Sequence, residues 1–168
     1  MLVNSKELFK KAQEGHYAIP SANVLDMESI KYHVGVAQEL GLPLIVGVAE
    51  AHLGDNLTLE DAALVGKKYA DAASVPVVLH LDHGMSVETC KKAINLGFTS
   101  VMIDASMKSF EENVAITKEV VEYAKAKDVS VEAEIGHVAS NFDENDTDAL
   151  YTTAEEAKKF CEESGCDS

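Results

Sequence analysis

Apolar residues occur along this chain in short continuous runs that alternate with longer segments of helical periodicity. Five runs predict buried strands: Tyr17–Asn23, Pro43–Val48, Val75–Leu81, Thr99–Ile103 and Val129–Ile135. Six segments predict helices: Ser5–Glu14, Met27–Leu40, Thr58–Ala73, Ser86–Leu96, Phe110–Lys127 and Thr153–Glu163. Continuously apolar strands that are separated by helices indicate parallel β/α architecture. The pattern therefore predicts a single α/β domain over residues 1–168.

Each predicted strand is followed, or ended, by a polar side chain. In chain order these side chains are Asn23, Glu50, Asp82 with His83, Asp104, and Glu132 with Glu134. Because the carboxyl ends of parallel strands meet at one edge, we expect these groups to converge there. The sequence therefore predicts a functional site at that edge of the sheet.

The residue types at this edge indicate the chemistry of the site. Several carboxylates and an imidazole at one edge would repel each other or be protonated, unless a cation were bound. A shell of histidine and carboxylate suits zinc, and less specifically manganese or iron. His80 has the strand period and is interpreted as a buried or supporting histidine, with a ligand role as the alternative. A Schiff-base mechanism has no candidate nucleophile at these strand ends. The lysines at 67, 68, 91, 92, 118 and 125 all fall in predicted helices.

Charge and composition exclude several classes of partner. The net charge of −15 argues against nucleic-acid binding and against an anionic membrane surface. No run of apolar residues is long enough for a transmembrane helix, and the first residues lack the layout of a signal peptide. The three cysteines indicate neither a disulfide framework nor a zinc site. We expect a cytoplasmic protein.

The segment from Gly136 to Leu150 is long, polar and acidic. Connections of this length in α/β enzymes are often lids over the active site. A plain solvated excursion is an equally good interpretation.

Three segments carry a family resemblance: His80–Gly84, Ser100–Ser106 and Val129–Gly136. They resemble the signature segments of class II ketose-bisphosphate aldolases, which are metal-dependent enzymes acting on fructose or tagatose bisphosphate. Tyr17–Pro20 with Asn23, and Asp148–Thr152, fit the same family. The similarity covers nearly the whole chain, and the motifs occur in the family's order.

The resemblance implies a (β/α)8 TIM barrel, of which about the first five βα units are present. It implies a catalytic Zn²⁺ with His83 as a ligand, and Asp82 as the acid/base on the aldehyde oxygen. Asp104 and Glu134 would hold a second or alternative metal position, for a divalent or monovalent cation, and Asn23 would contact substrate. The family's other two zinc-binding histidines belong to later strands. We therefore expect the chain to be the N-terminal portion of a longer barrel, with incomplete activity alone.

The activity implied by the resemblance is reversible aldol cleavage of a ketose 1,6-bisphosphate to dihydroxyacetone phosphate and glyceraldehyde 3-phosphate. The partners would be a small phosphorylated sugar and further copies of the chain, in a homodimer or homotetramer. In the resemblance, Phe142 stands at the position of the family's lid glutamate, and Ala49 stands where the family has a serine. Asp143 or Glu144 would take the place of the glutamate if the loop shifts by a residue or two. The departures at Phe142 and Ala49 favour, as one alternative, a divergent enzyme for another phosphorylated ketose. The strands that are expected beyond this chain favour a second alternative, a non-catalytic barrel fragment acting as a scaffold.

Overall fold

The computed structural model describes residues 1–136 and 152–168. In these ranges the helices are α1 (Lys6–Gly15), α2 (Met27–Leu40), α3 (Leu59–Ala72), α4 (Val87–Leu96), α5 (Phe110–Lys125) and α6 (Ala154–Ser164). The strands are β1 (Ser21–Asn23), β2 (Leu44–Ala49), β3 (Val77–Gly84), β4 (Ser100–Ile103) and β5 (Ser130–Ala133). The predicted element order is confirmed. Residues 137–150, which belong to the segment interpreted as a lid or as a solvated excursion and include Phe142, lie outside the described residues.

The five strands form one parallel sheet in the order β1-β2-β3-β4-β5. Each strand therefore lies beside its neighbour in sequence, without the reversal of strand order that marks a doubly wound sheet. Backbone bonds continue beyond β5, where the amide of Asp167 donates to the Val131 carbonyl at 2.8 Å. The predicted fold class, α/β with part of a TIM barrel, is confirmed.

Side chains alternate between two faces of the sheet. Along β3, Leu79 and Leu81 pack into the large core that the helices share with one face. Val78 points to the opposite face, where it meets Ile45 of β2 and Leu8 of α1. Helix α1 therefore covers this second face of the sheet, toward the amino ends of the strands.

Helices α3 and α6 each begin after a threonine that caps the helix. The hydroxyl of Thr58 accepts from the Asp61 amide at the start of α3, and Thr153 does the same for Glu156 at the start of α6. In both cases the acidic residue reaches back to the capping amide, which completes a capping box. Each cap of this kind contributes about 1 kcal/mol.

Two strand boundaries differ from the prediction by three residues or more, and the other strand ends differ by at most two residues. β1 begins at Ser21 rather than Tyr17, because Pro20 lacks an N–H and joins the sheet only through its carbonyl, which accepts from Ile45. β3 runs to Gly84 rather than ending at Leu81. In the described part of the chain, no helix is both long and apolar enough to cross a membrane.

Candidate metal and substrate site

The end of β3 departs from regular strand geometry. Strict alternation would point His83 toward the helices, on the same side as Leu81. Instead His83 has a left-handed backbone with φ of 48°, and the pairing of β3 with β4 shifts register between Leu81 and Gly84. Irregularities of this kind change the direction of a side chain at the end of a strand. Here the change brings His83 to the edge that carries Asp104.

Gly84 allows β3 and β4 to approach closely just after His83. A Cβ atom at Gly84 would lie 2.6 Å from the Met102 carbonyl oxygen and 2.8 Å from the Cys90 Sγ. Beyond the irregularity, the Asp104 amide donates to the Gly84 carbonyl at 2.9 Å. The backbone at His83 and Gly84 therefore changes the direction of the imidazole, and the pairing of β3 with β4 resumes at Gly84.

Three of the predicted metal residues meet at this edge. The Nδ1 atom of His83 lies 2.8 Å from Asp104 Oδ2 and 4.0 Å from Glu134 Oε2. One ligand atom from each residue falls within 4.8 Å of the others. Neighbouring ligand atoms on a tetrahedral zinc are about 3.3 Å apart, from bond lengths near 2.0–2.1 Å. These observed separations fall on both sides of that spacing, so the donor set fits one divalent cation.

The three groups are coupled electrostatically. The hydrogen bond that His83 donates to Asp104 raises the pKa of His83 above its usual value, against the opposing effect of partial burial. Burial alone would raise the pKa of Asp104, but hydrogen bonds from His83 and Ser106 lower it overall. The Ser106 hydroxyl and amide both donate to Asp104 Oδ1, at 2.7 and 3.1 Å. Ser106 thus holds one carboxylate oxygen while the other faces His83.

Asp82 and Glu132 extend the acidic edge into the sheet. Asp82 is half-buried and continues the face of the sheet that carries His80. Burial, and then the charge of Asp82, raise the pKa of Glu132. His80 is buried, which lowers its pKa to about 4, and its Nδ1 lies 2.9 Å from the Ser100 hydroxyl oxygen. His80 is outside the group formed by His83, Asp104 and Glu134.

Asn23 lies apart from this group, at the exposed end of β1 and two strands away from β3. Its register partner is Gly47 of β2. A Cβ atom at Gly47 would lie 2.7 Å from the Asn23 Oδ1 atom. Glycine at this position therefore leaves the space that the Asn23 amide occupies.

Glu50 has a supporting role, although its position in the sequence indicates a place in the functional site. Its Oε2 accepts from the Met85 amide at 2.6 Å, and its Oε1 accepts from the Thr89 hydroxyl at 3.0 Å. Met85 directly follows Gly84, and Thr89 lies in the first turn of α4. The carboxylate of Glu50 therefore supports the backbone that carries His83. A sequence pattern does not distinguish this use of a strand-end glutamate from a ligand.

The parallel strand order and the polar edge at the carboxyl ends define a β/α-barrel protein. The family model described as "Fructose-bisphosphate aldolase class-II" matches residues 3–168, and the chain belongs to that family.

The names of similar proteins are also those of aldolases. The chain is 42% identical over 171 residues to a fructose-bisphosphate aldolase from Staphylococcus aureus, covering 99% of this chain and 59% of the relative. It is 40% identical over 173 residues to a 6-phospho-5-dehydro-2-deoxy-D-gluconate aldolase from Halalkalibacterium halodurans, with the same coverage. The crystal structure of the YdjI aldolase from Escherichia coli superposes with a TM-score of 0.88 at 34% identity, covering 99% of this chain and 60% of that one. The chain thus spans about 59% of the length of these curated relatives.

Proposed function

We propose that residues 1–168 form one domain, the N-terminal portion of a zinc-dependent class II aldolase barrel. Its reaction is the reversible cleavage of a ketose 1,6-bisphosphate to dihydroxyacetone phosphate and glyceraldehyde 3-phosphate. The observation that carries this proposal is the convergence of His83, Asp104 and Glu134 within 4.8 Å at the carboxyl edge of the sheet. Membership of the aldolase family supports the reaction class.

In this proposal His83 supplies the nitrogen ligand. Asp104 and Glu134 supply carboxylate oxygens to the same cation, in place of the separate position that the resemblance implies for them, because all three residues lie within reach of one ion. Zinc held by these residues would supply Lewis acidity toward the carbonyl of the ketose phosphate. The surplus of negative charge at the edge favours a cation, since Asp82 and Glu132 lie beside these ligands and the pKa of Glu132 is already raised.

Asp82 is the proposed acid/base. In the cleavage direction its carboxylate accepts the proton of the substrate hydroxyl that becomes the aldehyde, while the adjacent carbon–carbon bond breaks. In condensation the same group returns the proton to the aldehyde oxygen. Its place next to His83 in β3 fixes Asp82 relative to the metal ligands. Asn23, at the end of β1, is proposed to contact the substrate across the edge.

A second substrate class has specific support. The relative named for 6-phospho-5-dehydro-2-deoxy-D-gluconate is 40% identical, almost equal to the 42% of the fructose-bisphosphate aldolase. Another phosphorylated ketose is therefore the alternative substrate, with the same residues holding the metal and moving the proton.

The test is cleavage of three sugars by the longest polypeptide that the gene encodes, with and without a chelator. The sugars are fructose 1,6-bisphosphate, tagatose 1,6-bisphosphate and 6-phospho-5-dehydro-2-deoxy-D-gluconate. We expect chelator-sensitive cleavage of one of them, restored by zinc. Asp82→Asn should lower the rate by about 10²–10⁴-fold, the usual contribution of a general acid or base, and leave the zinc content unchanged. Absence of cleavage together with absence of bound metal would favour the scaffold interpretation.

A further inference from the structure

The inward face of α5 contains two polar residues where apolar ones are expected. The buried positions of this helix are Asn113, Thr117, Val120 and Ala124, which follow a regular helical spacing. Val120 and Ala124 join the large core. Asn113 is only 3% exposed and Thr117 is fully buried. Polar groups at such positions destabilise a fold unless their hydrogen bonds are satisfied.

These hydrogen bonds lead to the candidate site. The Nδ2 atom of Asn113 donates to the backbone carbonyl of Glu134 at 2.7 Å. The Thr117 hydroxyl donates to Asn113 Oδ1 at 3.2 Å, one helical turn along. Thr117 thereby fixes the orientation of the Asn113 amide, with its NH₂ group toward Glu134.

The Glu134 carbonyl that accepts this hydrogen bond lies just beyond the last paired residue of β5. The pairing of β4 with β5 ends at Ile103 and Ala133, so Glu134 is the first residue beyond it. Asn113 therefore restrains the backbone of the residue whose carboxylate lies near His83.

We propose that Asn113, oriented by Thr117, is a positioning residue that sets the Glu134 carboxylate in the metal site. The proposal rests on the metal site of the proposed function. A purely structural role would affect folding alone, whereas a positioning role affects metal affinity beyond any effect on folding.

The test compares three variants of the full-length protein for zinc affinity, by competition with a chromophoric chelator, and for resistance to denaturant. Asn113→Leu keeps the branched shape and the number of side-chain heavy atoms and removes the donor, and Thr117→Val removes only the orienting hydroxyl. Val120→Ala is the matched control, because it weakens the same helix without touching Glu134. We expect Asn113→Leu to lower zinc affinity by about 10-fold and Thr117→Val by less, while Val120→Ala changes it by less than about 2-fold.

A second readout does not depend on metal. In the metal-free protein, Asn113→Leu should shift the carbonyl ¹³C resonance of Glu134, which reports hydrogen bonding at that atom, and Val120→Ala should not. An unshifted resonance, or zinc affinity equal to that of the parent protein, would overturn the positioning role. If Asn113→Leu does not fold, Thr117→Val decides by the same two measurements. Failure of the parent protein itself to bind zinc would instead refute the proposed metal site, and the positioning role with it.

Discussion

The two ends of the sheet use polar residues in opposite ways. At the amino end, beneath α1, the Ser130 hydroxyl accepts from the Ser5 amide and hydroxyl and donates to the Thr99 carbonyl. These groups are neutral, and the two serines are buried. At the carboxyl end, carboxylates surround the half-exposed His83, and the pKa values of His83 and Asp104 are shifted.

The difference shows where this sheet contributes stability and where it contributes chemistry. At the amino end, the buried Ser5 and Ser130 satisfy their hydrogen bonds with each other and with the Thr99 carbonyl. The carboxyl end keeps a left-handed backbone at His83 and an excess of negative charge. Unbalanced charge of this kind is common at functional sites. Substitutions at the two ends should therefore affect different properties.

The largest expected effect is on metal binding. His83→Ala should lower zinc affinity by more than the roughly 10–100-fold that is usual for residues outside the ligand shell, and should change stability little. His52→Ala is the matched control, since this exposed histidine lies outside the metal group. Calorimetric titration with zinc measures both variants. Retention of tight zinc binding by His83→Ala would remove His83 from the ligand set.

The next largest expected effect is a loss of stability when a buried residue at the amino end of the sheet is changed. Leu8→Ala removes a buried contact of α1 with Ile45 and Val78, and should lower the free energy of unfolding by about 2–5 kcal/mol. Zinc affinity, measured where the protein is folded, should stay unchanged. Leu64→Ala, at a residue 72% exposed, is the control and should cost less than about 0.5 kcal/mol. If Leu8→Ala weakened zinc binding in the folded protein, the two ends would not be independent.

Near the pKa of His83, zinc affinity should rise with pH, whereas the contribution of His83 to the stability of the metal-free protein should fall. The pKa of His83 is raised above 6.5, so its stabilising contribution is present below that pH and lost as pH rises through the folded value. The pKa of Asp104 is lowered below 3.8, so its contribution is present above that pH and lost as pH falls through the folded value. Zinc competes with the proton on His83, so its affinity should rise by about 10-fold per pH unit while His83 is protonated.

Zinc titrations between pH 5.5 and 8 measure this dependence. Asp104→Asn should move it to lower pH, because the substitution removes the carboxylate that raises the pKa of His83. Zinc affinity that is constant across this range would contradict a histidine ligand.

The smallest expected effect is at the buried serine pair. Ser5→Ala removes a 2.8 Å hydrogen bond to Ser130 and should lower the free energy of unfolding by about 1 kcal/mol. Ser74→Ala, at an exposed serine, is the control. Both are measured by denaturant unfolding. Loss of zinc binding in Ser5→Ala would show that the amino end also shapes the site.

The sequence predicts much of the fold because the strands are apolar and the helix caps are explicit. The sequence also predicts that Asp104 and Glu134 lie at the same edge of the sheet, since each stands at the carboxyl end of a predicted strand. It does not predict that β3 continues through His83, because that depends on a backbone irregularity and on the close approach at Gly84. Asn113 was also missed, although its polar side chain on the inward face of α5 is a readable signal.

The central claim is that His83, Asp104 and Glu134 bind one divalent cation. Anomalous diffraction at the zinc edge, from crystals of the full-length protein grown with zinc, tests it directly. We predict a single strong peak within about 2.0–2.2 Å of a His83 nitrogen and of one carboxylate oxygen from each acid. A zinc peak elsewhere, or no peak near these three residues, would contradict the account.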